Sequence, residues 1–268
     1  MNFLKSIIAG MILLSAGWAN AQSMSLALEG EEWQAIKDFP VHGKNKIFSK
    51  ESLTFGEYKT LEVDRSWTKG TQVTSGITVG IPTDEFYKKL ITTDHITRKQ
   101  TLYFAMADGQ GNQSKAYSLA QLDAKDFNIG NSPVSAFNLL LDLAGPGVKS
   151  ANISYTKIYV GPEAEGWELI IDNQAAQAQP KKYVGYFAKS STEYYIVVPT
   201  SRVQNKKGKA GSMPFGSAGF EIRSMNGQPL AAVSIIDKGV IYLMDIDPQE
   251  KLLLATACTA LLLRPTDL

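Results

Sequence analysis

The most constraining feature of the chain is a long apolar segment near its end. Residues 251–264 read KLLLATACTALLLR, and the twelve residues inside this segment carry no charge. Upstream, Asp247 is placed to cap a helix, Pro248 suits the first helical position, and Glu250 follows three residues after the cap, as in a capping box. The sequence therefore predicts a helix over about 248–264.

This helix has no polar face. Its leucines stand in two triplets, 252–254 and 261–263, and successive residues of a helix point about 100° apart. A helix that is apolar on every side must be buried on every side, and the hydroxyls of Thr256 and Thr259 can bond to carbonyls one turn back. At ~1.5 Å per residue, the uncharged part is too short to cross a bilayer of about 30 Å. An antiparallel sheet covers such a helix most simply by closing around it.

Most of the chain before this helix has the pattern of short strands. Segments rich in β-branched and aromatic residues alternate with glycine and Asn/Asp turns between about 59 and 246. They read YKTLEVDRSW, QVTSGITVGI, TLYFAMA, KAYSLA, NISYTKIYVG, GWELIIDN, KKYVGYFAK, TEYYIVVPT, GFEIRSM, PLAAVSII and GVIYLMDI. Such segments at regular spacing indicate an all-β sandwich or barrel.

Turn sequences join neighbouring segments into hairpins. The Asn-Gly pair at 226–227 predicts a two-residue type I′ turn, because that turn requires positive φ angles at both positions. Further turns are expected at 237–239, 108–109 and 172–173. The sequence thus predicts a mainly β fold, an antiparallel meander closed into a barrel around the hydrophobic C-terminal helix.

Three other segments complete the predicted architecture. Residues 84–91 and 132–145 carry apolar residues at helical spacing and are expected to form short peripheral helices. Residues 205–219, NKKGKAGSMPFGSAG, form the one long loop-like stretch. We see no internal repeat, and we expect a single β-rich domain over 22–268.

The last strands and the apolar helix together resemble a known fold. Residues 219–264 read GFEIRSMNGQPLAAVSIIDKGVIYLMDIDPQEKLLLATACTALLLR, which is two hairpin strands, a third strand, an Asp-Pro turn and the helix. This order is similar to the tubby-like fold of tubby C-terminal domains, plant LURP-one-related proteins and phospholipid scramblases. The resemblance implies a barrel with a helix at its centre and a tendency to bind ligands or membrane lipids.

The first residues have the pattern of a secretory signal peptide. Residues 1–21 contain one positive residue, Lys5, then an apolar run and an Ala-Asn-Ala cleavage pattern. The chain has 27 basic and 26 acidic residues, so removal of Lys5 leaves the two in balance. We therefore expect an exported protein, periplasmic or extracellular, with no transmembrane segment after cleavage and no nucleic-acid partner. The single cysteine, Cys258, lies in the apolar segment and is expected to be buried.

Residues that carry catalytic or metal chemistry are scarce. Two histidines, His42 and His95, do not suffice for a zinc site, and no G-x-S-x-G sequence presents a serine nucleophile. Two S-x-x-K matches begin at Ser66 and Ser154, but both fall in strand-like segments, where serine and lysine are not one helical turn apart. The loop after Asp108 has the composition of a cation site but lacks further acidic ligands, so a plain turn is expected. We predict no metal and no cofactor.

One cluster of charge is a candidate binding site. Arg202, Lys206, Lys207 and Lys209 concentrate positive charge beside the 205–219 stretch, where an anionic lipid or glycan could bind. A solvated loop is the alternative interpretation, since charge runs commonly serve solubility.

Three hypotheses for function follow from these patterns. The first is a non-enzymatic cell-envelope module that binds a lipid, a glycan or an envelope protein. The second is a structural or assembly component of the envelope, which an exposed sheet edge or apolar patch would favour. The third is a hydrolase whose carboxylates are dispersed over loops.

Overall fold

The computed structural model describes residues 24–34, 36–44, 51–67, 100–122, 152–161, 165–205, 207–213 and 216–264. The predicted signal peptide, the two predicted peripheral helices and the predicted strand QVTSGITVGI lie outside these residues.

The described residues are mainly strands. The strands are β1 (Ser25–Leu26), β2 (Lys37–Pro40), β3 (Thr54–Phe55), β4 (Tyr58–Trp67), β5 (Gln100–Ala107), β6 (Gln113–Leu122), β7 (Ile153–Val160), β8 (Trp167–Asp172), β9 (Gly185–Ala188), β10 (Tyr194–Thr200), β11 (Arg202–Gln204), β12 (Ala210–Ser212), β13 (Gly219–Arg223), β14 (Pro229–Ser234) and β15 (Val240–Leu243). Two α-helices accompany them, α1 (Asn173–Ala178) and α2 (Pro248–Leu263), with a short 3-10 turn at Glu31–Trp33.

Twelve of the strands form one antiparallel sheet that closes on itself almost completely. Its order is β2-β15-β14-β13-β10-β9-β8-β7-β6-β5-β4-β3. The two outer strands meet at an antiparallel bridge between His42 and Thr54, whose main chains exchange hydrogen bonds of 2.9 and 3.0 Å. The ring of strands is therefore a nearly closed barrel, which confirms the predicted fold class.

Helix α2 fills this barrel. It packs against β6 and β7 and also against β14 and β15, which lie far apart in the order of strands. Every residue from 252 to 263 is at most 5 % exposed. Thr256 Oγ1 donates to the Leu252 carbonyl at 2.7 Å, and Thr259 Oγ1 donates to the Ala255 carbonyl at 2.9 Å. The helix has no polar side because none of its sides reaches water, as its sequence predicts.

The threonine hydroxyls and the thiol of α2 are buried inside the barrel. Thr256 Oγ1 also contacts Ser114 Oγ on β6 at 2.6 Å, so both hydroxyls have partners inside the barrel. Cys258 is fully buried, and burial raises the pKa of its thiol. Cys258 is therefore an apolar core residue and not a nucleophile. In the part of the chain that the structure describes, no helix is both long enough and apolar enough to span a bilayer.

Both ends of α2 are fastened to the barrel wall. At the N-terminus, Asp247 accepts hydrogen bonds from the main-chain N–H groups of Gln249 and Glu250, as its capping role predicts. The Glu250 carboxylate accepts from the Tyr195 hydroxyl on β10 at 2.8 Å, so the second half of the predicted capping box is replaced by a bond to the wall. At the C-terminus, Arg65 on β4 donates to the Leu263 carbonyl at 2.8 Å.

Two of the predicted turns are wrong in detail. At 226–227 only Gly227 has a positive φ, of 80°, and the Ser224 N–H bonds to the Gln228 carbonyl, so the loop has three residues. A three-residue loop of this kind needs one left-handed residue, which glycine supplies, and Asn226 keeps an ordinary φ. At 172–173 the carboxylate of Asp172 accepts from the Ala175 N–H, and the chain continues into α1 and not into a hairpin.

A second, smaller sheet departs from the predicted meander. Strands β11 and β12 leave the barrel between β10 and β13 and join β1 in a three-stranded sheet, in the order β1-β11-β12. The 205–219 stretch, predicted as a loop, therefore contains a strand at 210–212. A separate apolar cluster holds this sheet against the outside of β14 and β15; it consists of Leu26, Trp33, Val203, Ala218, Ala232 and Tyr242.

Candidate functional site

A groove lies where the small sheet meets the outer wall of the barrel. Its volume is about 580 Å³, which is in the range of small-molecule sites. It is lined by residues of β1, of the 3-10 turn, of β2, of β11 and of β15: Ser25, Leu26, Leu28, Gly30, Glu31, Trp33, Gln34, Ile36, Asp38, Gln204 and Tyr242. Polar and apolar side chains thus line one concave surface.

Trp33 reaches the groove because the chain turns sharply just before it. Gly30 has a φ of 119°, a conformation that favours glycine, and its carbonyl accepts from the Trp33 N–H at 3.3 Å. The turn tucks the indole ring into the apolar cluster beneath the small sheet, where Trp33 is 6 % exposed. The ring therefore forms part of the wall of the groove.

The indole N–H of Trp33 is buried without an acceptor. Trp33 Nε1 has no hydrogen-bond partner among the described residues. An unsatisfied buried donor costs about 1–3 kcal/mol, and Trp N–H groups usually find a partner when buried. An acceptor atom supplied by a bound molecule would remove this cost.

Acidic side chains stand at the rim of the groove. Asp38 on β2 and Tyr242 on β15 are cross-strand partners, so they share one face of the sheet. Burial, together with the nearby Asp38 carboxylate, raises the pKa of Tyr242 to about 12, so its hydroxyl keeps its proton at neutral pH. Glu31 follows on the 3-10 turn, and Glu31 and Asp38 are both exposed to solvent.

The predicted cationic site is spread over the neighbouring hairpin. Arg202 begins β11 and forms an ion pair with Glu29, Nη2 to Oε1, at 2.5 Å. Lys207 and Lys209 lie in the turn between β11 and β12, where both are exposed and their main-chain N–H groups bond to Asn205 Oδ1. Lys206 lies outside the described residues. The two described lysines thus share one turn, whereas Arg202 forms a solvent-exposed ion pair with Glu29.

The histidines and the S-x-x-K match at Ser154 show no catalytic arrangement among the described residues. His42 forms the bridge that closes the barrel, while His95 is outside the described residues. Ser154 and Lys157 point to opposite faces of β7, because their spacing is odd, and Lys157 pairs with Glu168 at 3.3 Å. No group of three or more metal-ligating side chains occurs within the described ranges.

The loop after Asp108 is a plain turn. Its carboxylate accepts from the N–H groups of Gln110 and Asn112 and from the Asn112 side chain. Burial acts to raise the pKa of Asp108, but these hydrogen bonds outweigh it and lower the pKa below its ordinary value. The carboxylate is therefore used to shape the turn.

Sequence reasoning missed the residues of the groove. Leu28, Gly30, Glu31 and Trp33 belong to the segment LEGEEW, which precedes the first strong strand pattern. A tryptophan in a short acidic segment, preceded by glycine, was the only signal available. Asp38 and Tyr242 lie more than two hundred positions apart, and only their strand pairing brings them together.

The nearly closed antiparallel barrel with its C-terminal helix is compatible with a tubby-like fold. No family model, no curated protein and no solved structure matches the chain.

Proposed function

We propose that this protein is a non-enzymatic binding module and that the groove between the small sheet and the barrel is its ligand site. The observation that carries the proposal is the indole N–H of Trp33, buried in the wall of the groove with no acceptor among the described residues. Because this N–H is buried, a ligand that brings an acceptor atom completes the contact when the indole ring turns toward the groove.

The composition of the groove supports the same function. Ligand sites combine apolar surface with polar groups that orient the ligand, and both kinds of side chain line this groove. Leu28 and Ile36 supply apolar surface, while Glu31 and Asp38 supply polar contacts.

Two further parts of the proposal concern family and location. The barrel around a terminal apolar helix, together with the strand order at 219–264, supports membership of the tubby-like group. The signal-peptide pattern of residues 1–21 supports export to the cell envelope. The partner that we propose is then a lipid, a glycan or an envelope protein.

Native mass spectrometry tests the ligand site directly. The protein is exported to a periplasm, purified without detergent, and compared with its denatured mass. We expect a stoichiometric excess mass in the wild type and its loss or reduction in Trp33→Phe, which keeps an aromatic ring but removes the N–H donor. The same excess mass in both proteins would place the ligand elsewhere. A bare multiple of the chain mass would favour the assembly hypothesis instead.

The exposed lysines of the β11–β12 turn support a contact with anionic lipid as a separate candidate. We expect Lys207→Ser/Lys209→Ser to weaken co-sedimentation with vesicles rich in phosphatidylglycerol, and we expect added salt to weaken binding of the wild type. Lys238→Ser, an exposed lysine in another turn, serves as the control. Equal sedimentation of both variants, or no response of the wild type to salt, would rule out lipid binding by this turn.

A further inference from the structure

We infer that two copies of this protein pair through the free edge of β12, as antiparallel strands centred on Gly211. The inference goes beyond the proposed function, because it concerns the other edge of the small sheet. That sheet has the order β1-β11-β12, and the groove lies on the side of β1. The strand pair therefore uses main chain that does not line the groove.

The main chain of β12 is hydrogen-bonded to β11 through alternate residues. The Lys209 carbonyl accepts from the Asn205 N–H at 3.1 Å, and the Met213 N–H donates to the Ser201 carbonyl at 2.8 Å. Gly211 lies midway between these two bonds in the same strand pairing, so it also faces β11. The residues on either side of Gly211 therefore turn their main-chain groups away from β11.

Ala210 and Ser212 thus present their N–H and C=O groups at the free edge of the small sheet. Among the described residues, neither has a main-chain hydrogen bond at this edge. All three residues of β12 are exposed, so the edge is open to solvent. Unpaired main-chain groups in a row form a template to which another strand can bond.

The edge of β2 shows how this fold protects a strand elsewhere. The Val41 N–H donates to the Gly239 carbonyl at 3.1 Å, so by the same alternation Pro40 faces away from β15. Proline offers no N–H at that edge, and the bridge between His42 and Thr54 occupies the main chain just beyond it. Within the described residues, β12 has neither a proline nor a bridge of this kind.

The free edge of β12 is complementary to itself. When a second copy lies antiparallel with Gly211 opposite Gly211, Ala210 of each copy lies opposite Ser212 of the other. These are the residues that face outward, so each such pair exchanges both of its N–H···O bonds. Because the same surface serves on both copies, the contact has two-fold symmetry and closes at a dimer.

The residues around this two-fold axis fit the pairing. Opposite residues that share no hydrogen bond come closest, with Cα atoms about 4.5 Å apart, and Gly211 brings no side chain to that point. Lys209 lies opposite Met213 of the other copy, so like charges are not opposed. Because β12 has only three residues, we expect a weak and reversible dimer.

Sedimentation velocity of the full exported protein tests whether the dimer forms. We expect the sedimentation coefficient of the wild type to rise with concentration up to about 1 mM, from that of the monomer toward that of the dimer. A monomer over the whole range would overturn the inference and would leave this edge to solvent or to a strand of another protein.

Charged substitutions at the axis show whether β12 pairs with itself. Gly211→Lys and Gly211→Glu each place like charges directly opposite in the dimer, so each should weaken self-association about two- to fivefold. A mixture of the two variants places lysine opposite glutamate and should associate more strongly than either variant alone. No described atom lies within 4 Å of a Cβ at Gly211, and its φ is not positive, so both substitutions leave the fold intact. A mixture that associates no more strongly than its components would overturn the pairing of β12 with itself.

A further pair of variants tests the main-chain bonds. Ser212→Pro removes an N–H that faces the free edge and none that bonds to β11. It should therefore weaken self-association about tenfold or more, while a cooperative thermal transition remains. Ser212→Ala retains the N–H and serves as the control. Equal self-association of these two variants would contradict the role of this edge.

The dimer and the ligand site fail in different ways. Trp33→Phe should remove the excess mass and leave self-association unchanged, whereas Ser212→Pro should do the reverse. If Trp33→Phe keeps the excess mass while Ser212→Pro abolishes the dimer, the proposed ligand site is wrong and the inference stands. If only the excess mass responds as expected, the inference is wrong and the ligand site stands.

Discussion

Removal of residues 251–268 is expected to leave a chain without a cooperative thermal unfolding transition. The deleted segment includes the twelve residues of α2 that are at most 5 % exposed, and these residues contact strands on opposite sides of the barrel. Without them the inner faces of β6, β7, β14 and β15 would surround an empty, apolar space far larger than a protein tolerates. Differential scanning calorimetry and far-UV circular dichroism measure the result.

A point substitution makes the same prediction quantitative. Leu254→Ala, at a fully buried position of α2, should lower the free energy of unfolding by about 2–5 kcal/mol. Leu61→Ala, at a position that is 53 % exposed on β4, removes the same atoms and should change it by less than about 0.5 kcal/mol. A truncated chain that melts cooperatively near the parent temperature would show that α2 is peripheral to the fold.

The second large effect is expected at Gly219, where β13 begins. A Cβ atom at this position would overlap the Val233 carbonyl oxygen and would lie 2.9 Å from Leu26 Cδ1. The first contact is with main chain and cannot be relieved by a rotamer change, so the strand or the small sheet must move. We expect Gly219→Ala to lower the free energy of unfolding by about 1–3 kcal/mol or more, measured by urea denaturation.

Gly219→Ala also tests whether the groove depends on the packing of the small sheet against the barrel. Leu26 lines the groove, so displacement of its side chain by Gly219→Ala should also reduce the excess mass seen by native mass spectrometry. The matched control is Gly211→Ala on β12, where nothing lies within 4 Å of the added atom and stability should hardly change. Equal stability of the two variants would mean that the small sheet does not pack closely at Gly219.

The barrel and its helix were predictable because their signals are local or periodic. The limits of α2 follow from Asp247, Pro248 and the apolar run, and the burial of the helix follows from its lack of a polar face. Strands such as β4 and β8 follow from β-branched and aromatic residues between turns. These features act over a few residues, and the core requires no particular partner, only apolar surface.

The details that failed depend on contacts outside the turn or cap itself. Asn226-Gly227 can form either of two hairpin turns, and the register of β13 against β14, with its irregularity between Ile222 and Arg223, selects the three-residue loop. Glu250 could have completed a capping box, but its carboxylate instead accepts a hydrogen bond from the Tyr195 hydroxyl on a distant strand. In each case the local preference is weak, and one tertiary contact is enough to decide between alternatives.

By itself, the sequence determined that this protein is a β-barrel around its last helix, because an apolar helix without a polar face leaves few other ways to exclude water. Only the tertiary structure decided the groove that we propose as the ligand site. The groove brings together Trp33, Asp38 and Tyr242. Strand pairing places Asp38 beside Tyr242, and β11 and β12 leave the barrel to form the small sheet. The sequence pattern of residues 205–219 does not predict this sheet. Burial of apolar surface is non-directional and can be predicted from composition and period, whereas a site depends on the positions of a few atoms, which only the complete fold establishes.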